Sequence, residues 1–267
     1  MAVETIQVRP LPPARPLPPV RSQAAPTADN ATVVGRTDHG PSIARFTIHA
    51  DAEPQPVLPG QYLALGLAVD GRLLQRPYST ATRAGRHADL EFLIRVVPAG
   101  ALTPRLFELR AGDRLHLGRP KGLFTLRPND RRTHLFVATG TGLAPFVAMT
   151  ETLLGEARPP RIVVVHGVAY AEELAFRDRF ERWAGDHGVS YVPAISRPDA
   201  SANAGWRDRT GRVDAILDEV WSTHALKTGA SIAYLCGNPG MIATATRVLI
   251  DLGLPDDAIR SEHYWPA

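Results

Sequence analysis

"THLFVATGTGLAP", residues 133–145, starts as an apolar strand, turns through two glycines and ends where a helix can begin. A short apolar run of this kind suits a strand buried on both faces. Gly140 and Gly142 let the backbone approach a ligand closely, and the free N–H groups of the following helix favour a phosphate. The loop lacks the G-x-G-x-x-G spacing, so by itself it fits a tight turn equally well. The rhythm recurs downstream, in "RIVVVHG" (161–167), "VSYVPAIS" (189–196), a helix near 213–220, "SIAYLCG" (231–237) and a helix over about 239–252. Alternating strands and helices predict a parallel sheet wrapped by helices, with ligands at the carboxyl ends of the strands.

Upstream the pattern differs. "ATVVGR" (31–36), "IARFTIHA" (43–50), "QYLALGLAV" (61–69), "LQRPYSTAT" (74–82), "LEFLIRVV" (90–97), "DRLHLG" (113–118) and "LFTL" (123–126) are short strands separated by Gly and Pro. They predict a small antiparallel β-barrel. One helix interrupts it, with Thr103 as N-cap, Pro104 at the first helical position, and Leu106, Phe107 and Leu109 on its apolar face. The expected organisation is a proline-rich tail over residues 1–30, a barrel over 31–130 and an α/β unit over 131–267. The tail contains "RPLPPARPLPPVR" (9–21) and reads as polyproline-type or disordered chain.

Composition narrows the function. With 44% hydrophobic and 21% charged residues the chain is of the globular class, and no apolar run approaches the roughly 20 residues that span a bilayer. The net charge of +3 is spread among acids, which argues weakly for an acidic partner and hardly at all for nucleic acid. The single cysteine, Cys236, excludes an internal disulfide and a four-cysteine cluster built from this chain. Neither HExxH nor a paired C-x-x-C occurs, so no protein metal site is expected.

Two further stretches stand out. "YLCGNPGM" (234–241) repeats the strand, glycine turn and helix start, and two such loops on one sheet can border a single crevice. "RPYSTA" (76–81) sets a cation, an aromatic ring and two hydroxyls at the end of a strand. "PGQYL" (59–63), "RPYS" (76–79), "GALTPRL" (100–106), "GTGLAP" (140–145), "CGNPGM" (236–241) and "SEHYW" (261–265) follow one another in this order. With them the chain resembles the ferredoxin–NADP reductase family, bacterial ferredoxin or flavodoxin reductase type, over about residues 31–265.

The resemblance implies an FAD-binding barrel followed by an NADP-binding α/β domain. It implies that Arg76 neutralises the FAD pyrophosphate, that Pro77 and Tyr78 lie along the flavin with the Tyr78 ring against it, and that Ser79 bonds near N5. Leu93, Ile94 and Arg95 would flank the flavin, and Ala101, Leu102 and Thr103 would present the helix start to the pyrophosphate. Thr141 would reach FAD from the second domain, and Tyr264 and Trp265 would cover it. Gly140, Thr141, Gly142, Ser196, Arg197, Arg212, Cys236, Gly237, Asn238, Pro239 and Met241 would hold NADP. Ser79, Cys236 and Glu262 would serve the reacting centre, Cys236 by positioning the nicotinamide at the mouth of the crevice. Hydride would pass between nicotinamide and flavin N5, and electrons would leave singly.

The resemblance also implies an acidic ferredoxin or flavodoxin as partner and a cytoplasmic monomer. The reductase component of a multicomponent oxygenase and a flavin-binding electron-transfer subunit remain alternatives. Where relatives carry a 2′-phosphate-binding arginine after the strand "VVVH", this chain has Ala169, with Glu172 and Glu173 just beyond.

Overall fold

The computed structural model describes residues 29–53 and 55–264. The tail up to residue 28 and Trp265 lie outside the described residues.

Six strands form the first sheet: β1 (Ala31–His39), β2 (Ile43–Ala50), β3 (Tyr62–Val69), β4 (Arg72–Ser79), β5 (Asp89–Arg95) and β6 (Arg114–Leu117). Their order is β4-β3-β6-β1-β2-β5 and every pairing is antiparallel. The sheet closes on itself where Thr80 bridges Phe92 and the Ala81 N–H donates to the Glu91 carbonyl. Closure removes the exposed edges that an open antiparallel sheet presents. The interior is filled by inward residues of alternating strands, among them Phe46, Ile48, Leu65, Phe92, Ile94 and Leu115. Leu102, just before the short helix α1 (Thr103–Leu106), and Leu106 within it join this core.

The second sheet is parallel: β7 (Thr133–Thr139), β8 (Ile162–Val168), β9 (Ser190–Ile195), β10 (Arg209–Thr210), β11 (Ser231–Gly237) and β12 (Ile259–His263), in the order β10-β9-β8-β7-β11-β12. Both faces are covered. Phe136, Val164 and Tyr234 point into a core shared with α2 (Ala144–Leu154) and α3 (Arg177–His187). Leu135, Val165 and Leu235 point the other way, against α4 (Leu217–Thr223) and α5 (Pro239–Asp251). This is why these strands read as continuous apolar runs instead of alternating ones. The strand order reverses between β7 and β11, so the loops that follow them border the crevice where parallel α/β sheets bind ligands.

Several local expectations are corrected. Thr103 is not an N-cap: it is the first residue of α1, and its hydroxyl accepts from the Val97 N–H at 2.8 Å, bracing the preceding turn. "LFTL" joins no ladder, because Phe124 is pulled into the core shared with α2 while Leu123 faces solvent. The helix expected near 213–220 begins as a 3-10 turn over Val213–Ile216 and becomes α-helical only at Leu217. Beyond β9, residues 198–209 are tied down by buried Asn203, which accepts from the Ala171 N–H and donates to the Ala169 and Arg197 carbonyls.

Polar contacts join the barrel to the parallel sheet. Arg179 of α3 donates two hydrogen bonds to Glu91 of β5, at 2.9 and 3.1 Å, and the guanidinium groups of Arg45 and Arg179 both lie over the Phe176 ring. Nearer the crevice, the carboxylate of Glu173, on the turn after β8, accepts from Ser42 at 2.7 Å and from Arg95 at 3.0 Å. Burial alone would raise that carboxyl; the donors Arg95 and Ser42 outweigh it and hold the group below the usual carboxylate range. Glu173→Ala removes an almost fully buried charge, while half-exposed Arg95 can regain water. We expect a loss of about 2 kcal/mol of stability in urea denaturation, and a change below about 0.5 kcal/mol, the range of ordinary surface substitutions, would contradict this account.

Candidate active site

The end of β4, the end of β12 and the two glycine loops meet at one place. Ser79, buried at the last position of β4, donates from its hydroxyl to Glu262 Oε2 at 3.1 Å, across 183 residues of sequence. Burial pushes the Glu262 carboxyl up to about 7, and the Ser79 hydroxyl acts in the opposite sense by favouring the anion. A carboxyl so placed can hold or release a proton near neutral pH.

Behind this pair the loops after β7 and β11 lock together. A Cβ on Gly142 would stand 2.4 Å from the Cys236 carbonyl oxygen, and one on Gly237, at φ +129, would stand 2.3 Å from the Thr139 hydroxyl. The Asn238 N–H donates to that same hydroxyl at 2.9 Å. Gly142 and Gly237 are therefore required by contact between the loops, whereas Gly140, at φ +53, faces Arg95 across the crevice. Asn238 caps α5, its side chain accepting from Gly240 and Met241 N–H, with Pro239 in the first turn. His166, fully buried with its pKa lowered to about 4 by desolvation, lies within hydrogen-bond distance of the Gly140 carbonyl and the Tyr191 hydroxyl.

Cys236 is not at an open mouth. It is fully buried at the end of β11 among core residues against which Tyr264 packs. Burial, and then the nearby Glu262 carboxylate, pushes the thiol well above its ordinary value, which suits packing and positioning and not nucleophilic attack. The Tyr264 N–H donates to the Gly237 carbonyl, and its buried hydroxyl lies beside Ser79 and Cys236 without completing a hydrogen bond.

The other expected residues divide. Arg76 is exposed, donates to the Gln75 carbonyl and has no carboxylate partner among the described residues, which leaves its guanidinium available to an anion. Pro77 is exposed and Tyr78 is half-buried, its hydroxyl raised to about 12 by burial. Leu93, Ile94, Leu102 and Met241 have their side chains inside the cores, so these positions can offer a ligand only their backbone; for Leu93 and Ile94 the exposed neighbour is Arg95. Ala101 is exposed and Thr141 half-buried. Ser196, Arg197 and Arg212 are brought together at the far end of the sheet, where β9 and β10 pair and the Gly211 N–H donates to the Ile195 carbonyl. Arg197 lies against the Tyr170 ring and bonds its hydroxyl at 2.7 Å; Arg212 pairs with Asp214 at 3.2 Å. Glu172 lies against Gly40 of the barrel, whereas Glu173 stands beside Ala169, one carboxylate oxygen accepting from the Ala169 N–H at 3.1 Å and the other held by Arg95 and Ser42.

The comparisons agree with this division of the chain. Residues 30–126 match the model of the oxidoreductase FAD-binding domain, and residues 136–247 that of the oxidoreductase NAD-binding domain. Ferredoxin–NADP reductase of Pseudomonas aeruginosa is 31% identical over 206 residues, covering 73% of this chain and 79% of its own length. The chain belongs to the ferredoxin–NADP reductase family. The reductase is also 32% identical over 246 residues to the phenol 2-monooxygenase reductase component DmpP of Pseudomonas sp., covering 91% of this chain and 67% of that one. The crystal structure of Amycolatopsis cytochrome P450 reductase GcoB superposes with a TM-score of 0.76 at 30% identity, covering 88% of this chain and 69% of that one. The reductase thus has an antiparallel FAD-binding barrel and a parallel NAD(P)-binding sheet. Unpaired Arg76 beside half-buried Tyr78 fits a ligand that joins a phosphate to a flat ring.

Three residues central to the geometry were not among the expected site residues. Glu173 and Ser42 reach Arg95 from 78 and 53 positions away, and no spacing marks them. His166 had a visible signal, as the one polar side chain in "IVVVHGV".

Because the folded Glu262 value lies above the ordinary one of 4.5, the native state binds that proton more tightly than the unfolded chain. Its contribution to stability is complete below about pH 4.5 and is lost as pH rises through about 7. We expect the carboxyl signal of ¹³C-labelled Glu262 to titrate near 7 and to move higher still in Ser79→Ala, and Glu262→Gln to flatten the dependence of stability over this window. Titration of Glu262 near the model-carboxylate value would contradict the burial argument.

Proposed function

We propose that this reductase is a cytoplasmic monomer that exchanges electrons between NADP(H) and a ferredoxin or flavodoxin, with its FAD-binding unit over residues 31–130 and its NADP-binding unit over 131–267. The observation that carries the reading is the meeting of Ser79 from the barrel with Glu262, Cys236 and the two glycine loops from the parallel sheet. The bound flavin, taking two electrons from a nicotinamide and giving them up one at a time, supplies the redox chemistry. The chain supplies orientation. Arg76 pairs with the pyrophosphate, and the Tyr78 ring covers the flavin's flat face. Ser79 and Cys236 fix where the two rings meet, with Tyr264 as the cover over that place. Glu262 holds a proton beside the Ser79 hydroxyl. Thr141, Asn238 and Pro239 offer the loop ends to NADP, and Ser196, Arg197 and Arg212 the 2′-phosphate side. The longer match to DmpP, over 91% of the chain, favours as second reading a reductase that delivers electrons into an oxygenase through a separate carrier.

The purified protein should be yellow, with one FAD per chain and no stoichiometric iron, and Arg76→Ala should bind FAD about 10- to 100-fold more weakly by titration, the equivalent of one charge-assisted contact. Colourless protein, stoichiometric iron or unchanged affinity in Arg76→Ala would contradict the assignment.

For the nucleotide, the loss of one anchor at Ala169 and the pairing of Arg212 with Asp214 leave Arg197 as the cation at this end without a carboxylate partner among the described residues. A preference for NADPH over NADH on the order of tenfold is expected, and Arg197→Ala should lower kcat/KM for NADPH by a similar factor while leaving NADH nearly unchanged. Equal or better use of NADH by the wild type would remove the 2′-phosphate assignment.

A further inference from the structure

His166 is fully buried near the carboxyl end of β8, and nothing in the proposed function uses it. An imidazole in a core costs desolvation that an aliphatic side chain at the same place would not. Histidines with both ring nitrogens satisfied do serve packing alone, so what matters is which groups these two nitrogens hold. Nε2 stands 3.1 Å from the Gly140 carbonyl, and Nδ1 stands 3.2 Å from the Tyr191 hydroxyl. The Tyr191 ring is itself stacked on Phe180 of α3 at 4.9 Å, which keeps its hydroxyl in place.

These partners fix the tautomer. A carbonyl oxygen only accepts, so Nε2 carries the proton. Desolvation keeps the ring neutral at ordinary pH, so Nδ1 is a lone pair and the Tyr191 O–H must donate to it. Donation runs one way, from Tyr191 through His166 to Gly140. Gly140, at φ +53, opens the 3-10 turn Gly140–Leu143 that leads into α2. A glycine does not hold its own conformation, so this peptide plane takes its direction from its partners. The C=O and N–H of a trans peptide point opposite ways. With the Gly140 carbonyl turned to the buried imidazole, the Thr141 N–H turns away from it, to the side on which Gly140 and Thr141 are partly exposed. An N–H in the first turn of a helix has no carbonyl of that helix to bond, so it remains for a ligand.

We infer that His166, oriented by the Tyr191 hydroxyl, is a positioning residue for nucleotide binding: its Nε2–H holds the Gly140 carbonyl and so aims the Thr141 N–H at the nucleotide's pyrophosphate. The inference rests on the proposed function, in which the loop after β7 meets NADP, and adds the buried pair that sets the direction of that loop. A second link ties the same strand to the barrel. Glu173, on the turn after β8, is held by Arg95 and Ser42, so His166 is carried on a strand whose end is anchored across the crevice.

The test uses the FAD-loaded full chain and reads binding apart from turnover. In protein labelled with ¹⁵N-histidine, the His166 signal, assigned by its loss in His166→Gln, should report the Nε2–H tautomer at neutral pH. Titration with NADP⁺ should show affinity about tenfold or more weaker in His166→Leu but within about threefold of wild type in His166→Gln, whose amide N–H can stand in for Nε2. 2′-AMP carries the 2′-phosphate without a pyrophosphate and should bind both variants within about twofold of wild type. In turnover, the loss in His166→Leu should fall on KM for NADPH and spare kcat, because the contact is the same before and during hydride transfer. Tyr191→Phe leaves the imidazole in place, and it should admit the Nδ1–H tautomer and weaken NADP⁺ by about threefold or more, which keeps the test decisive if His166→Leu does not fold. An Nδ1–H tautomer in the wild type, unchanged NADP⁺ affinity in His166→Leu and Tyr191→Phe, or binding by His166→Gln as weak as by His166→Leu overturns the inference and leaves the proposed function intact. Parallel loss of NADP⁺ and 2′-AMP binding also overturns it, by reducing His166 to a packing residue. A wild type that binds neither NADP⁺ nor NAD⁺ overturns the proposed function and this inference with it.

Discussion

The contact on which the rest of the geometry depends is the buried carboxylate of Glu173, held between Arg95 and Ser42. It is a charge from the parallel sheet accepting hydrogen bonds from the barrel. Its second oxygen accepts from the Ala169 and Tyr170 N–H groups and so shapes the turn after β8. A carboxylate out of water tolerates little displacement of its donors, since a lost partner leaves an uncompensated charge. The two sheets are consequently joined in one register, with the Glu91–Arg179 pair fixing the flank farther from the crevice.

That register is what allows side chains so distant in sequence to act together. Ser79 reaches Glu262, Arg95 reaches Gly140, and Tyr264 comes down on Cys236. The topology does the remainder: reversal of strand order between β7 and β11 opens a crevice, and two glycines close its floor by letting one loop rest on the other. Burial then sets the chemistry. The same desolvation that keeps the Cys236 thiol protonated and His166 neutral pushes Glu262 toward 7, so of these three groups it is Glu262 that can change charge near neutral pH.

The architecture was legible because each sheet leaves its own pattern. Strands buried on both faces read as "FVAT" and "IVVV", and barrel strands as short runs cut by Gly and Pro. The motifs located the ends of β4, β7, β11 and β12, where ligand-binding residues of such folds belong. What stayed hidden was the use to which a residue is put. Gly142 and Gly237 read as phosphate-loop glycines and serve loop-to-loop contact; Leu93 and Met241 read as ligand contacts and fill cores. Glu173 stood in the sequence only as an acid just beyond Ala169 and is the interdomain anchor. Each misreading concerns direction or long-range pairing, which depends on the packed fold and not on local spacing.

The central claim is that Ser79, seated at the junction of the two sheets, orients the exchange of electrons between the nicotinamide and the flavin. Anaerobic stopped-flow reduction of the FAD-loaded protein by NADPH, comparing wild type with Ser79→Ala at equal FAD occupancy, tests it directly. The account predicts that flavin bleaching slows by about tenfold or more in the variant at saturating NADPH, with FAD still bound. Bleaching at the wild-type rate in Ser79→Ala would contradict it.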